Sequence, residues 1–460
     1  MNIDYNRINK KTNVMRELKH VKILIVSILF LTSCSNNNNW PQFLGPGGNS
    51  ISTEIDLPVE WGDNENILWK SKIPGKGWSS PVVWEEKVFI TTAYKEKKAT
   101  QKKDTAQSEP AADDRRIRPD DDYRFEIYCL DKYSGEVIWN ETAYLGKPGI
   151  VTHRDNTYAS ETPVTDGNNL YVYFGMRGLF CYDLEGNKIW EKNIGIYPMQ
   201  SNWGTSSSPI LYKDLLILQF DNEENSQVFA LDKKTGEEKW RTERDEISTW
   251  STPYIWKNKL RVELVTGGKK TRSYDPNTGE LLWEIDMRGG RDITSPVGDR
   301  EMIYVCNEER RDGGGTLFAI KAGASGDISL DPEANSNEWV AWTQPKSRIA
   351  MATPVLYKGY LYGLARNGGT VNCFNAETGE YAYKREKLKG AKSFWASPFA
   401  YKDMILCPEE SGTTYVLQAG PEFKVLHTNT MDDKFWSSAA ISDGILVFRG
   451  VEYVYGIGRD

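Results

Sequence analysis

The chain has 460 residues with 39% apolar and 12% aromatic content, including 16 Trp and 24 Tyr, and 39 Gly and 20 Pro to punctuate short elements. That composition is globular and turn-rich, and it excludes a disordered or collagen-like chain. A formal net charge of −7 supplies no basic field for gripping phosphates, so nucleic acid is excluded as a partner.

The N-terminus carries Lys10, Lys11, Arg16, Lys19 and Lys22, with an apolar stretch from Val21 to Leu31 among and after them and then Leu31-Thr32-Ser33-Cys34. The apolar stretch is too short to span a bilayer, and the pattern predicts a signal peptide over 1–33. The small residues before Cys34 resemble the lipobox of bacterial lipoproteins, in which the chain is cut before the Cys and its thiol is acylated. Acyl burial at roughly 0.8 kcal/mol per methylene would hold such a chain on a membrane. Segment 34–66 then reads as lipidated Cys, polar tether (Ser35 to Asn39) and a Gly/Pro-rich lead-in; Ser rather than Asp at 35 implies, by the same resemblance, outer-membrane sorting. The expected location is therefore the bacterial cell envelope, with the membrane met through the lipid anchor alone.

From residue 67 onward the chain repeats. Ser/Thr-Pro before an apolar residue recurs at Ser80, Thr162, Ser208, Thr252, Ser295, Thr353 and Ser397, with Ser438-Ala439 as a degenerate eighth copy. Most intervals are about 41 to 46 residues, the length of a four-stranded propeller blade. A short β-branched and aromatic run follows each copy, from Lys87–Thr92 to Ile445–Phe448. Next comes a turn phrase and an outer strand ending in an aromatic ring: Asp131 to Trp139, Asp183 to Trp190, Asp232 to Trp240, Asp275 to Trp283 and Asn375 to Tyr383. Asp or Asn starts the turn through its own backbone and Gly takes the positive φ that closes it. The ring then wedges between blades, burying about 150–250 Å². Cys129, Cys181 and Cys373 occupy equivalent strand positions where Ala230 stands in another copy, which predicts packing rather than a disulfide framework.

Residues 95–122, with eight acids and eight bases and little apolar content, predict a disordered insertion. Gly313-Gly314-Gly315 reads as a turn and not a phosphate cradle. The last copy, Ser438 to Gly458, lacks an outer strand, and Asn66 to Ile73 is an outer strand with no blade before it. Pairing the two closes an all-β, eight-bladed propeller over 67–460 and leaves no free sheet edge at the seam.

Asp232-Lys-Lys-Thr-Gly-Glu-Glu-Lys-Trp240 resembles the tryptophan motif of the PQQ-like (pyrroloquinoline-quinone-like) repeats, and Trp40-Pro-Gln-Phe-Leu-Gly-Pro46 is similar to the opening of many bacterial lipoproteins of that family. The resemblance covers about residues 40 to 460 and implies kinship in fold with quinoprotein alcohol dehydrogenases and with the propeller lipoprotein of the outer-membrane β-barrel assembly machinery. Fold alone does not select between them.

In a propeller the loops entering the innermost strands share a face with the loops joining second to third strands. The entering loops carry Lys76, Trp78, His153, Arg154, Trp203, Trp250, Arg288, Arg291, Arg348, Lys392, Trp395, Lys434 and Trp436, a basic and aromatic mouth suited to a planar anion, a quinone or an acidic glycan. A quinoprotein reading would add PQQ and calcium, with Asp221, Asn222 and Glu223 supplying the oxygen ligands. The adjacent Cys pair and CxxCH haem site of the dehydrogenases are absent from the sequence. The expectation is a monomeric, non-enzymatic binding or scaffold module that meets an envelope protein or an acidic or planar ligand. The alternative is a PQQ- and calcium-dependent oxidoreductase acting on an alcohol or sugar.

Overall fold

The computed structural model describes residues 38–54, 56–96, 116–117, 120–289, 293–308 and 315–459; of 116–117 it gives the backbone alone. The signal segment, Cys34, Arg291 and the Gly313-Gly314 pair therefore lie outside the described residues. The described residues fall within one compact unit, Asn38–Asp460.

Eight sheets, each built on four antiparallel strands, follow one another in chain order. The innermost strands of blades 1 to 8 are Val82–Trp84, Val164–Thr165, Ile210–Tyr212, Tyr254–Lys257, Val297–Gly298, Val355–Tyr357, Phe399–Tyr401 and Ala440–Ser442. Each begins at the residue immediately after its Ser/Thr-Pro or Ser-Ala phrase; in seven of the eight this follows from Pro, which has no N–H to donate to a ladder and sits where pairing starts. The predicted second strands are found, with Leu215–Phe220, Met302–Cys306 and Tyr360–Leu364 at the expected bounds. Blade 8 lacks an outer strand of its own, and Ile67–Ser71 fills the place by pairing antiparallel with Val454–Ile457. The ring is closed as expected.

The turn phrase and the aromatic ring turn out to act between blades. Trp69 Nε1 donates to Lys132 O (2.7 Å), Trp139 to Leu184 O (3.0 Å), Trp190 to Lys233 O (3.1 Å) and Trp240 to Pro276 O (3.2 Å). Each acceptor lies in the outer turn of the following blade. The turn glycine of that blade lies against the same indole: a Cβ on Gly279 (φ +73°) would stand 2.5 Å from Trp240, and one on Gly135 (φ +70°) 2.4 Å from Trp69. Glycine is thus required twice, by the backbone and by the neighbour's ring.

Blade 4 departs from the scheme. Trp283 is fully buried but donates to Glu263 Oε2 of its own blade (2.7 Å), because blade 5 has no Asp-to-Gly phrase in its outer turn. The chain there makes a longer excursion, in which Gly326–Asp327 adds a parallel strand outside Leu281–Asp286. Trp342 supplies the ring of blade 5 and donates to Ala376 O (3.1 Å), with Gly379 beneath it.

The predicted insertion is shorter than 95–122. The second strand of blade 1 runs through Lys87–Lys95 and its partner starts at Tyr123. Arg116–Ile117 forms a two-residue strand antiparallel to Thr152–His153 of the mouth. The Cys residues at 129, 181, 306, 373 and 407 are free and buried, and burial lifts the Cys129, Cys181 and Cys373 thiols to about 12.

The lead-in is structured. Trp40 pairs with Val83 through two backbone bonds (2.8 and 2.9 Å), and Pro41 O accepts from Thr165 N (2.9 Å). Ile51–Ser52 then runs parallel to Phe399–Tyr401. The Glu54 carboxylate accepts the Asp443 and Gly444 N–H groups (2.7 and 3.1 Å) in the blade 8 turn. These partners belong to blades 1, 2, 7 and 8 and lie at the turn ends of the inner strands. The segment therefore crosses the channel end opposite the mouth.

Candidate ligand cavity at the channel mouth

The Ser/Thr of the repeated phrase forms a belt. Ser80 N–H donates to Thr162 Oγ1 (2.9 Å), Thr162 to Ser208 Oγ (3.0 Å), Ser208 to Thr252 Oγ1 (3.0 Å) and Thr252 to Ser295 Oγ (3.0 Å). Ser295 N–H continues to Thr353 Oγ1 (3.0 Å), Thr353 to Ser397 Oγ (3.1 Å) and Ser397 to Ser438 Oγ (3.0 Å). Converging inner strands are too short at this end to satisfy these N–H groups in a ladder, and an unpaired buried N–H is costly. A hydroxyl in the next blade satisfies each one, which is why the phrase needs Ser or Thr.

All eight belt residues line a cavity of about 660 Å³ at the channel mouth, within the size range of small-molecule sites. Phe43 of the lead-in also lines it. On the wall formed by blades 7, 8 and 1, Trp395 and Trp436 stack (5.0 Å between centroids, 15° between planes), and Trp436 meets Trp78 at 4.9 Å. Trp203 and Trp250 pair at 5.5 Å on the wall of blades 3 and 4. All five predicted indoles line the cavity, and so do His153 and Arg348. Lys76, Arg154, Lys392 and Lys434 are exposed and outside its lining, and Arg288 is exposed and held by Asp331 O and Ala334 O.

Several lining residues escape sequence reasoning. Arg366 and Asn367, in the loop after Tyr360–Leu364, line the cavity, and the Arg366 guanidinium lies 4.8 Å from the Trp395 ring centroid. Glu308 lies 3.8 Å from Arg366, and Asp155 forms an ion pair with the Arg154 guanidinium at 3.7 Å and stands 3.5 Å from His153 Nδ1. Position alone could have found Arg366, since its loop belongs to the same face.

The donors of the wall differ in their partners. Trp250 Nε1 donates to Gly204 O (2.8 Å), Trp78 to Asp155 O (3.1 Å) and Trp395 to Glu410 Oε2 (3.2 Å). Trp436 Nε1 and Arg348 Nε are buried with no hydrogen-bond partner among the described residues. Arg348 is also held at φ +60°, the left-handed region that a bulky side chain rarely adopts.

Two ionisable groups are buried beside this face. Glu161 is 1% exposed, Oε1 has no partner among the described residues, and burial lifts its carboxyl to about 7. Arg449 is buried, bonds Ser79 Oγ (2.6 Å), and is lowered to about 9 by burial, with no carboxylate partner among the described residues.

The acidic run after the second strand of blade 3 is differently employed. Asp221 is engaged by Arg244 (2.9 and 3.2 Å), Gln219 Nε2 (2.7 Å) and Thr249 Oγ1 (2.9 Å), all buried. Asn222 Oδ1 caps its own turn by accepting from Glu224 N (3.0 Å) and Asn225 N (2.7 Å), and Glu223 Oε1 accepts from Ser248 N (3.1 Å) and Oγ (2.7 Å). Calcium takes six to eight oxygen ligands, and these oxygens are already committed to internal donors. No group of three or more His, Cys, Asp or Glu among the described residues is placed to hold a metal ion. This run does not fit the calcium set that a quinone cofactor would accompany.

A family model described as outer membrane protein assembly factor BamB matches residues 123–385, more than half of the chain. Among solved structures, a europium-containing methanol dehydrogenase aligns at TM-score 0.63 and 10% identity over 91% of this chain and 90% of its own. Quinohemoprotein alcohol dehydrogenase from Comamonas testosteroni gives 0.61 and 12%, over 92% and 81%. BamB from Moraxella catarrhalis gives 0.51 and 13%, over 73% and 91%. At such identities the likeness is one of fold. No curated protein sequence matches the chain.

Proposed function

Since the chain belongs to the PQQ-like propeller family described as outer membrane protein assembly factor BamB, we propose that it works in the bacterial cell envelope as a binding module, with the channel mouth as its contact surface. The observation that carries this reading is the cavity itself: five indoles on two facing walls above a belt of hydroxyls, with Arg348, Arg366 and His153 among the lining residues. Flat aromatic faces suit a ring-shaped or planar ligand, and hydroxyl and amide groups suit one rich in oxygen. The engaged oxygens of Asp221, Asn222 and Glu223 favour binding over quinone-dependent oxidation.

Cys34 is the proposed lipid anchor, with the outer membrane as its destination. Metabolic labelling with a fatty acid, followed by membrane fractionation, tests this: the wild-type chain takes label and sediments with membranes, and Cys34→Ser does neither. The binding role is tested by Trp fluorescence of the mature protein titrated with a panel of saccharides and quinones. Because five indoles face the cavity, a saturable change is expected for at least one class; a flat response throughout would defeat the small-ligand reading and turn attention to a protein partner.

A further inference from the structure

The belt hydroxyls from Thr162 to Ser438 each accept an N–H from the preceding blade, so their oxygens are used on the protein side. A hydroxyl that accepts still has a proton to give. Among the described residues no acceptor takes a proton from these Ser and Thr side chains, and all of them line the cavity. Trp436 Nε1 and Arg348 Nε add two donors that lack partners among the described residues. Unused donors thus concentrate around one cavity, and a ligand rich in acceptors would satisfy those it reaches.

The charges narrow the class. Arg366 lies near Glu308 and Arg154 near Asp155, whereas Arg348 lies near no carboxylate among the described residues. Arg348 is moreover pinned in place: Ser347 donates from N and Oγ to Gly315 O (3.0 and 2.9 Å), and Ser347 O accepts from Asn372 Nδ2 (3.0 Å). A guanidinium carried on a backbone held in this way, with an unpartnered N–H, is available to an anion. Trp395 and Trp436 stack on one another, Arg366 lies over the Trp395 ring and Trp78 meets Trp436, and together these rings form an aromatic wall against which a saturated ring could pack.

We propose, building on the reading of the mouth as a binding site, that its ligand is a sugar ring bearing a carboxylate: the ring lies on the Trp395–Trp436 wall, the carboxylate on Arg348 and the ring oxygens over the hydroxyl belt. Calorimetric titration of the mature protein with trigalacturonate and with neutral galactotriose tests it. Trigalacturonate binds at least tenfold tighter. Arg348→Gly removes that preference while the unfolding temperature holds or rises, because glycine is at ease at φ +60°; Arg348→Lys restores part of it. Trp436→Phe keeps the ring, removes the N–H and weakens trigalacturonate several-fold.

Equal affinity for the two trisaccharides would overturn the anion and leave the glycan-binding reading standing. Citrate displacing trigalacturonate at equal concentration would overturn the sugar. Binding of neither trisaccharide would overturn the proposal, and the wider fluorescence panel would then decide the parent reading separately.

Discussion

At the scale of single residues, Glu161 and Arg348 are two departures from ordinary protein chemistry that lie beside the mouth. Glu161 is a buried carboxyl raised to about 7, whereas the unfolded group titrates near 4.5. Between those values the unfolded chain has lost the proton and the native chain keeps it, so stability falls as pH rises from about 4.5 to 7 and is flat above. At roughly 1.4 kcal/mol per unit, the loss reaches about 3 kcal/mol as an upper bound. Glu161→Gln is therefore expected to raise the unfolding temperature at pH 8 and to change it little at pH 5, in parallel melts; an equal effect at both pH values would refute the assignment. Arg348 was legible from its place in an entering loop, but its left-handed backbone and unpaired Nε were not, because both depend on how Ser347 is tied to Gly315 and Asn372. Asp221 was legible as an acid on the right face and misleading as a metal ligand, because its partner Arg244 comes from the end of another strand.

At the scale of the element, the repeat couples each blade to the next through one ring and one glycine. Trp240→Ala removes a buried indole and its bond to Pro276 O, and is expected to cost about 3–5 kcal/mol in denaturant unfolding. Gly279→Ala, in the following blade, is expected to be destabilising by more than about 1 kcal/mol, because the new Cβ meets Trp240 at 2.5 Å on a backbone at φ +73°. The double variant should cost less than the sum, since the clash disappears with the ring; strict additivity would show that the two do not act together. The Ser/Thr-Pro phrase announced the blade period plainly, yet its side chain looked like a marker. Its work as a belt appears only when neighbouring blades are side by side. Trp342 was missed for a related reason, as blade 5 carries no Asp-to-Gly phrase ahead of it.

At the scale of the whole molecule, two parts of the N-terminal region serve the ring. Ile67–Ser71 completes blade 8, and the lead-in laps the channel end away from the mouth with Phe43 reaching the cavity. Closure was readable because the last copy lacked a strand and the first strand lacked a blade. The lead-in was not, because its contacts are backbone bonds to blades far apart in sequence. Trp69→Ala should loosen the seam between blades 8 and 1 and lower the unfolding temperature more than loss of a mouth indole such as Trp395, which is only partly buried on the cavity wall.

The proposed function requires that the molecule meet its ligand at the mouth. The most direct measurement is a glycan array probed with the mature protein beside its Trp395→Ala/Trp436→Ala double variant, with circular dichroism confirming that both are folded. The predicted result is wild-type binding to acidic saccharides that the variant loses entirely; retention of the same saccharides by the variant would contradict the claim that this cavity is the binding site.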